Sequence, residues 1–121
     1  MAAYDIGAKG LQEVNLIIPQ ETSLTFDIVH KADDGRVIDH SESVAHMAFQ
    51  SKDGHTTYDL DSCCECLSDK IKVAIPPSAT ESMPVGKMSW DIIVTMVDGE
   101  QLRIVYGTVS IVDTYALDDE G

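Results

Sequence analysis

The chain has 121 residues, 44% of them hydrophobic and 24% charged, enough for one domain with a real core and too few for two. Its 21 Asp and Glu against 8 Lys and Arg give a net charge of -13. Such a field repels phosphate backbones and anionic headgroups, which argues against nucleic acid and membrane surfaces as partners and suits solubility, a basic partner or a cation.

Residues 1–12 hold Gly7, Gly10 and Lys9 among small side chains without a sustained period, and are expected as an N-terminal arm. No basic segment followed by an apolar stretch opens the chain, and no apolar run approaches the ~20 residues of a bilayer span, so synthesis and folding in the cytoplasm are expected. EVNLIIP is apolar and β-branched until Pro19 stops it. Residues 22–31 alternate, with Leu24, Phe26, Ile28 and His30 on one side and Thr25, Asp27, Val29 and Lys31 on the other. That is the period of a half-buried strand.

The DDG at 33–35 reads as a turn, followed by a short RVID strand. In SVAHMAFQ, Ala45, Met47 and Phe49 oppose Val44, His46, Ala48 and Gln50, and the size of Met47 and Phe49 argues that theirs is the inner face. Gly54 marks a second turn and HTTYDL a short strand. KIKVAI sends Ile71, Val73 and Ile75 inward and its two lysines outward. PPSATESMPVG cannot continue a sheet, because proline lacks the ladder donor, but SATES has room for one helical turn.

MSWDIIVTMVDGEQLRIVYGTVSIV, 88–112, is a long hairpin. Trp90, Ile92, Val94 and Met96 share one face, as do Leu102, Ile104 and Tyr106 beyond the turn. Asp98 and Gly99 are expected in a type I′ turn, Gly107 at a bulge or a close backbone contact, and Trp90 as a core anchor. Val109 and Ile111 resume the pattern, and ALDDEG is an acidic, frayed tail. With no helix of convincing length, the expected fold class is all-β: an antiparallel immunoglobulin-like β-sandwich of seven to eight strands spanning 13–115, between an arm at 1–12 and a tail at 116–121.

Catalytic chemistry finds no foothold. Cys63, Cys64 and Cys66 sit within four positions, an odd number that cannot frame disulfides, without CxxC spacing or a second pair. They read as reduced thiols, and the acidic neighbours Asp61, Glu65 and Asp69 would weaken any of them as a nucleophile. His30, His40, His46 and His55 show no metal-ligand spacing and read as surface or strand-edge imidazoles; Asp39 beside His40 lacks a serine on a nucleophile elbow. DDG, KDG and DLDS supply oxygens but do not match a twelve-residue calcium loop. No catalytic, cofactor-binding or metal residue is assigned, no cofactor is expected, and the chain is expected not to be an enzyme.

The segments TFDIVHKADDGRVID and KIKVAIPPSATESMPVGKMSWDIIVTMVDGEQLRIVYGTVSIVDT, within 13–114, resemble a family of small phage virion modules. One such module is the N-terminal immunoglobulin-like domain of the upper baseplate protein of lactococcal phages. HSES at 40–43 departs from that pattern, and CCEC has no counterpart in it. The resemblance implies a structural virion protein that docks onto a tail, baseplate, fibre or head assembly, oligomeric in the particle, with other tail, fibre or major capsid proteins as partners. Alternatives are a capsid decoration protein and a calcium- or sugar-binding surface module. Residues 2–10, 33–36 and 61–66 are the expected contact regions.

Overall fold

Alternating side chains fold into two stacked sheets in the computed structural model, which describes residues 2–113. The smaller sheet has the order β1 (Ala2–Ile6), β4 (Leu24–His30), β8 (Ile71–Ile75), β7 (Cys64–Cys66). The larger runs β2 (Gln12–Glu13), β10 (Gln101–Val112), β9 (Gly86–Thr95), β5 (Val44–Gln50), β6 (Thr57–Asp59), with β3 (Leu16–Pro19) also paired to β10. The fold is an all-β sandwich.

The strand count exceeds seven to eight because the opening of the chain is more ordered than expected. Residues 2–6 are no loose arm: β1 pairs in parallel with β4, and Ile6 is buried. EVNLIIP splits in two, and both pieces pair in parallel with β10. Between them Asn15 turns its side-chain oxygen to the Thr108 amide and hydroxyl, each at 3.0 Å. The sheets are therefore mixed rather than purely antiparallel. RVID forms only a bridge from Lys31 to Val37. One helical turn, α1 (Pro77–Thr80), fills the proline-rich link. The expected tail at 116–121, with 114–115, lies outside the described residues.

The core is what the alternation selects. Phe26 and Ile28 from β4 and Ile71, Val73 and Ile75 from β8 face Met47, Phe49, Trp90, Ile92 and Val94 from the larger sheet, all buried. Trp90 stands edge-on to Phe26 at 6.1 Å and to Phe49 at 6.3 Å, joining both sheets through one indole. Each such aromatic pair adds about 0.5–1.5 kcal/mol beyond the area it buries.

The long hairpin departs from its expected facing. Leu102 and Arg103 pair with Val94 and Ile93, but Val105 pairs with Ile92, so Ile104 is an extra residue. Ile104 and Val105 are both buried, and the inner face then passes from even to odd positions. Tyr106, expected inside, is 38% exposed, while Val109 and Ile111 are buried. Of the two expectations for Gly107, the close backbone contact holds: a Cβ there would run into the Val14 carbonyl oxygen.

Candidate functional site

The connections gather at one end of the sandwich. The turn after β1 is tied there by bonds from the Lys31 amide to the Ile6 carbonyl and from Leu11 to Arg103. The tip after β4, the 39–43 crossing between sheets, the β7–β8 turn and the β9–β10 turn close around it, linked by the His40 amide on the Leu67 carbonyl and by Ser43 against Met96. Of the expected contact regions, 7–10 and 33–36 lie at this end, while 2–6 run along the edge of the smaller sheet as β1.

Three turns of the sandwich share one construction. Gly35, Gly54 and Gly99 have φ of 87°, 78° and 92°, and each donates its amide to the carbonyl three residues back. The preceding Asp34, Asp53 and Asp98 accept from the amides of Arg36, His55 and Glu100 at 2.9–3.0 Å. Since φ is positive at Gly99 but not at Asp98, this is a type I turn with a left-handed glycine, not the expected type I′. Asp33, Asp34, Asp39, Glu42, Asp98 and Glu100 are exposed here beside Lys9 and Arg36, so the end is acidic. The Gly54 turn lies at the opposite end.

Inside this end two histidines meet. His30 and His40 are 2% and 1% exposed, which corrects their reading as surface imidazoles. His30 Nδ1 lies 2.9 Å from His40 Nε2, and the ring planes are 7° apart with centroids 5.1 Å apart. A ring separation that wide with so short a nitrogen contact means coplanar rings joined edge to edge, not a face-to-face stack. His30 Nε2 reaches the Ala8 carbonyl at 3.1 Å, and His40 Nδ1 reaches Ser43 Oγ at 3.0 Å. Burial, and then the neighbouring His30, lower the His40 pKa from 6.5 against a smaller opposing pull from Asp39. The sequence carried one sign of this: His30 shares the face of Phe26 and Ile28.

The third expected region, 61–66, follows the flank. A 3-10 turn at Asp61–Cys63 carries the chain from the larger sheet to β7. Asp61 accepts from the Met47 amide at 2.9 Å and meets His46 Nδ1 at 3.0 Å; against its desolvation, these bonds hold its carboxyl below 3.8. Burial, with the charges of Cys63, Cys66 and Asp61, pushes the Cys64 thiol up to about 12, and burial also raises Cys63 and Cys66. These are the thiols of a packed strand edge, poor as nucleophiles. Among the described residues, no group of three His, Cys, Asp or Glu is arranged to hold a metal ion, and no helix is long and apolar enough to cross a membrane.

The outer face of the larger sheet has a shallow hollow of about 420 Å³ over Ala48 and Gly107, walled by Gln50, Thr57 and Tyr106. Its charges, Asp91 and Arg103, already pair with one another at 3.1 Å.

No protein-family model matches the sequence, and no curated protein matches it. Among solved structures it is similar to the N-terminal domain of phage TP901-1 ORF48, with a TM-score of 0.50 and 9% identity. The match covers 93% of this chain and 99% of that one. The likeness is one of fold. It falls on a phage domain, as the resemblance in the sequence does, and it spans both sheets rather than a single shared hairpin.

Proposed function

We propose that the chain is a non-enzymatic structural module of a phage virion that docks onto a tail, baseplate, fibre or head assembly. The observation that carries this reading is the fold likeness over nearly the full length of both this chain and a phage protein's domain. The site chemistry agrees with it. The buried histidines spend their ring nitrogens on one another, Ala8 and Ser43, and burial raises the three thiols away from the reactive thiolate form. The acidic end fits a partner that offers a basic surface, with the turns at 7–11, 33–36 and 97–99 as contacts.

Quantitative mass spectrometry of purified particles tests the reading. The expected result is co-purification at fixed stoichiometry. A count matching a closed ring places the module on the tail, and a count in the hundreds places it on the head. Particles of normal composition that lack the chain would overturn it, as would turnover of a substrate by the purified protein.

A further inference from the structure

We propose that His30, His40 and Ser43 form a single-proton switch that fastens three connections at the acidic end of the sandwich and releases them when a second proton arrives. The partners fix every hydrogen in the chain of contacts. A carbonyl oxygen only accepts, so His30 Nε2 carries the hydrogen facing Ala8. The Nδ1 of neutral His30 is then an acceptor, and His40 Nε2 donates to it across 2.9 Å. That leaves His40 Nδ1 as an acceptor for the Ser43 hydroxyl at 3.0 Å. All three contacts are satisfied with both rings neutral.

A first proton fits without loss of a contact. It binds His40 Nδ1, which becomes a donor to Ser43 Oγ, and the displaced Ser43 hydroxyl hydrogen turns to Met96 Sδ at 3.8 Å. The single positive charge is shared, because the hydrogen between the rings can sit on His40 Nε2 or on His30 Nδ1. A second proton has no such place. It puts an N–H on both nitrogens facing each other at 2.9 Å, so an attraction becomes a clash of two hydrogens and two like charges. The rings must part.

What parts with them is specific. His30 ends β4 and holds the turn after β1 through Ala8, while His40 and Ser43 belong to the crossing between sheets and hold Met96 at the start of the β9–β10 turn. The charged groups on the surrounding elements do not replace the lost contact. Lys31 is paired with Asp5 at 3.2 Å, and Lys70 with Asp27 at 3.6 Å. Asp39 and Glu42 on the crossing, Lys9 after β1, Asp69 on the β7–β8 turn, and Asp98 and Glu100 on the β9–β10 turn are solvent-exposed. Asp39 favours the first proton on His40, which separates the two steps further.

Nitrogen-15 NMR of both imidazoles in the full chain, followed from pH 8 to pH 4 with amide exchange, tests this. The expected result is one joint step in which both rings shift together while the amides of 39–43 stay protected. A second uptake at lower pH should coincide with loss of protection at 7–11 and 39–43 while the centres of β5 and β9 remain protected. In the S43A variant the first step should move to lower pH, because charged His40 Nδ1 loses its acceptor; S43T, which restores a hydroxyl, should return it toward the wild-type position. The inference is overturned if the rings titrate independently to two full imidazolium ions with amide protection unchanged, or if S43A leaves the first step in place.

Discussion

The indole nitrogen of Trp90 donates to the main-chain carbonyl of Val14 at 2.8 Å, and the same carbonyl lies over Gly107. A side chain of β9 thereby fixes the link between β2 and β3 against the strand that both adjoin. Replacing Trp90 with Phe keeps most of the packing and leaves the buried carbonyl without its donor, at an expected cost of about 1–3 kcal/mol. Gly107→Ala leaves the indole bond alone but drives a Cβ into backbone, and is expected to cost at least about 1–3 kcal/mol. Urea unfolding of both variants measures this; a Gly107→Ala midpoint equal to wild type would refute the close contact.

The extra residue in β10 makes an unusual prediction about deletions. Removing Ile104 takes out the bulged position while Leu102, Val105, Val109 and Ile111 keep their inward facing. That variant should fold, less stable by about 2–5 kcal/mol for the buried side chain lost. Removing Thr108 instead turns Val109 and Ile111 outward, and no cooperative transition is expected. Circular dichroism melts of the two deletions distinguish them.

Thiol chemistry should follow burial. With Cys64 pushed up to about 12, alkylation of the native protein at pH 8 should leave it unmodified long after an unfolded control has reacted. Timed alkylation followed by peptide mass spectrometry reads each of the three positions. Rapid native labelling of Cys64 would contradict the packed edge.

Acid should weaken the fold in two stages. The unfolded chain binds a proton at His40 near the ordinary 6.5, and the folded chain binds it only at lower pH. Between those values the unfolded state holds more protons, so stability falls as pH drops through that window. Asp39, Asp53 and Asp61 lie below 3.8 in the folded state, so their contribution is present above that value and lost as pH falls through the lower folded ones. Urea midpoints at pH 8, 6, 5 and 3 should decrease, and His40→Gln should flatten the upper stage while leaving the lower one.

The glycine turns report directly on their backbone. Gly99→Ala meets no atom within 4 Å, so its cost is conformational alone, about 1–2 kcal/mol, whereas Gly99→Asn should cost less. Equal losses for the two would argue against a left-handed residue there. Thermal melts of the pair decide it.

Much of the architecture was legible because alternation is a local property. Phe26 and Ile28, Met47 and Phe49, and Ile71 and Val73 face inward as their spacing requires. Along β10 the inward facing of Ile104, Val109 and Ile111 was legible, but the interruption was expected at Gly107 and falls at Ile104, since an inserted residue leaves no mark of its own, and this misplaced Tyr106. The opening residues hid their order for a different reason. A five-residue strand such as β1 gains its stability from pairing with β4, and Tyr4 and Ile6, its two large apolar side chains, are too short a run to declare a period. The histidine pair was harder still: His30 betrays itself by its apolar company, but its partner arrives on an irregular crossing whose course no periodicity encodes.

The placement of β2 and β3 has a consequence for biosynthesis. Both lie against β10, and the Asn15–Thr108 bonds join positions 93 residues apart. A ribosome-bound chain whose β10 has not yet emerged holds β2 and β3 with nowhere to pair, so the larger sheet can close only once residues 101–112 are free. Slow, late closure and a need to shield nascent edges follow from that arrangement alone.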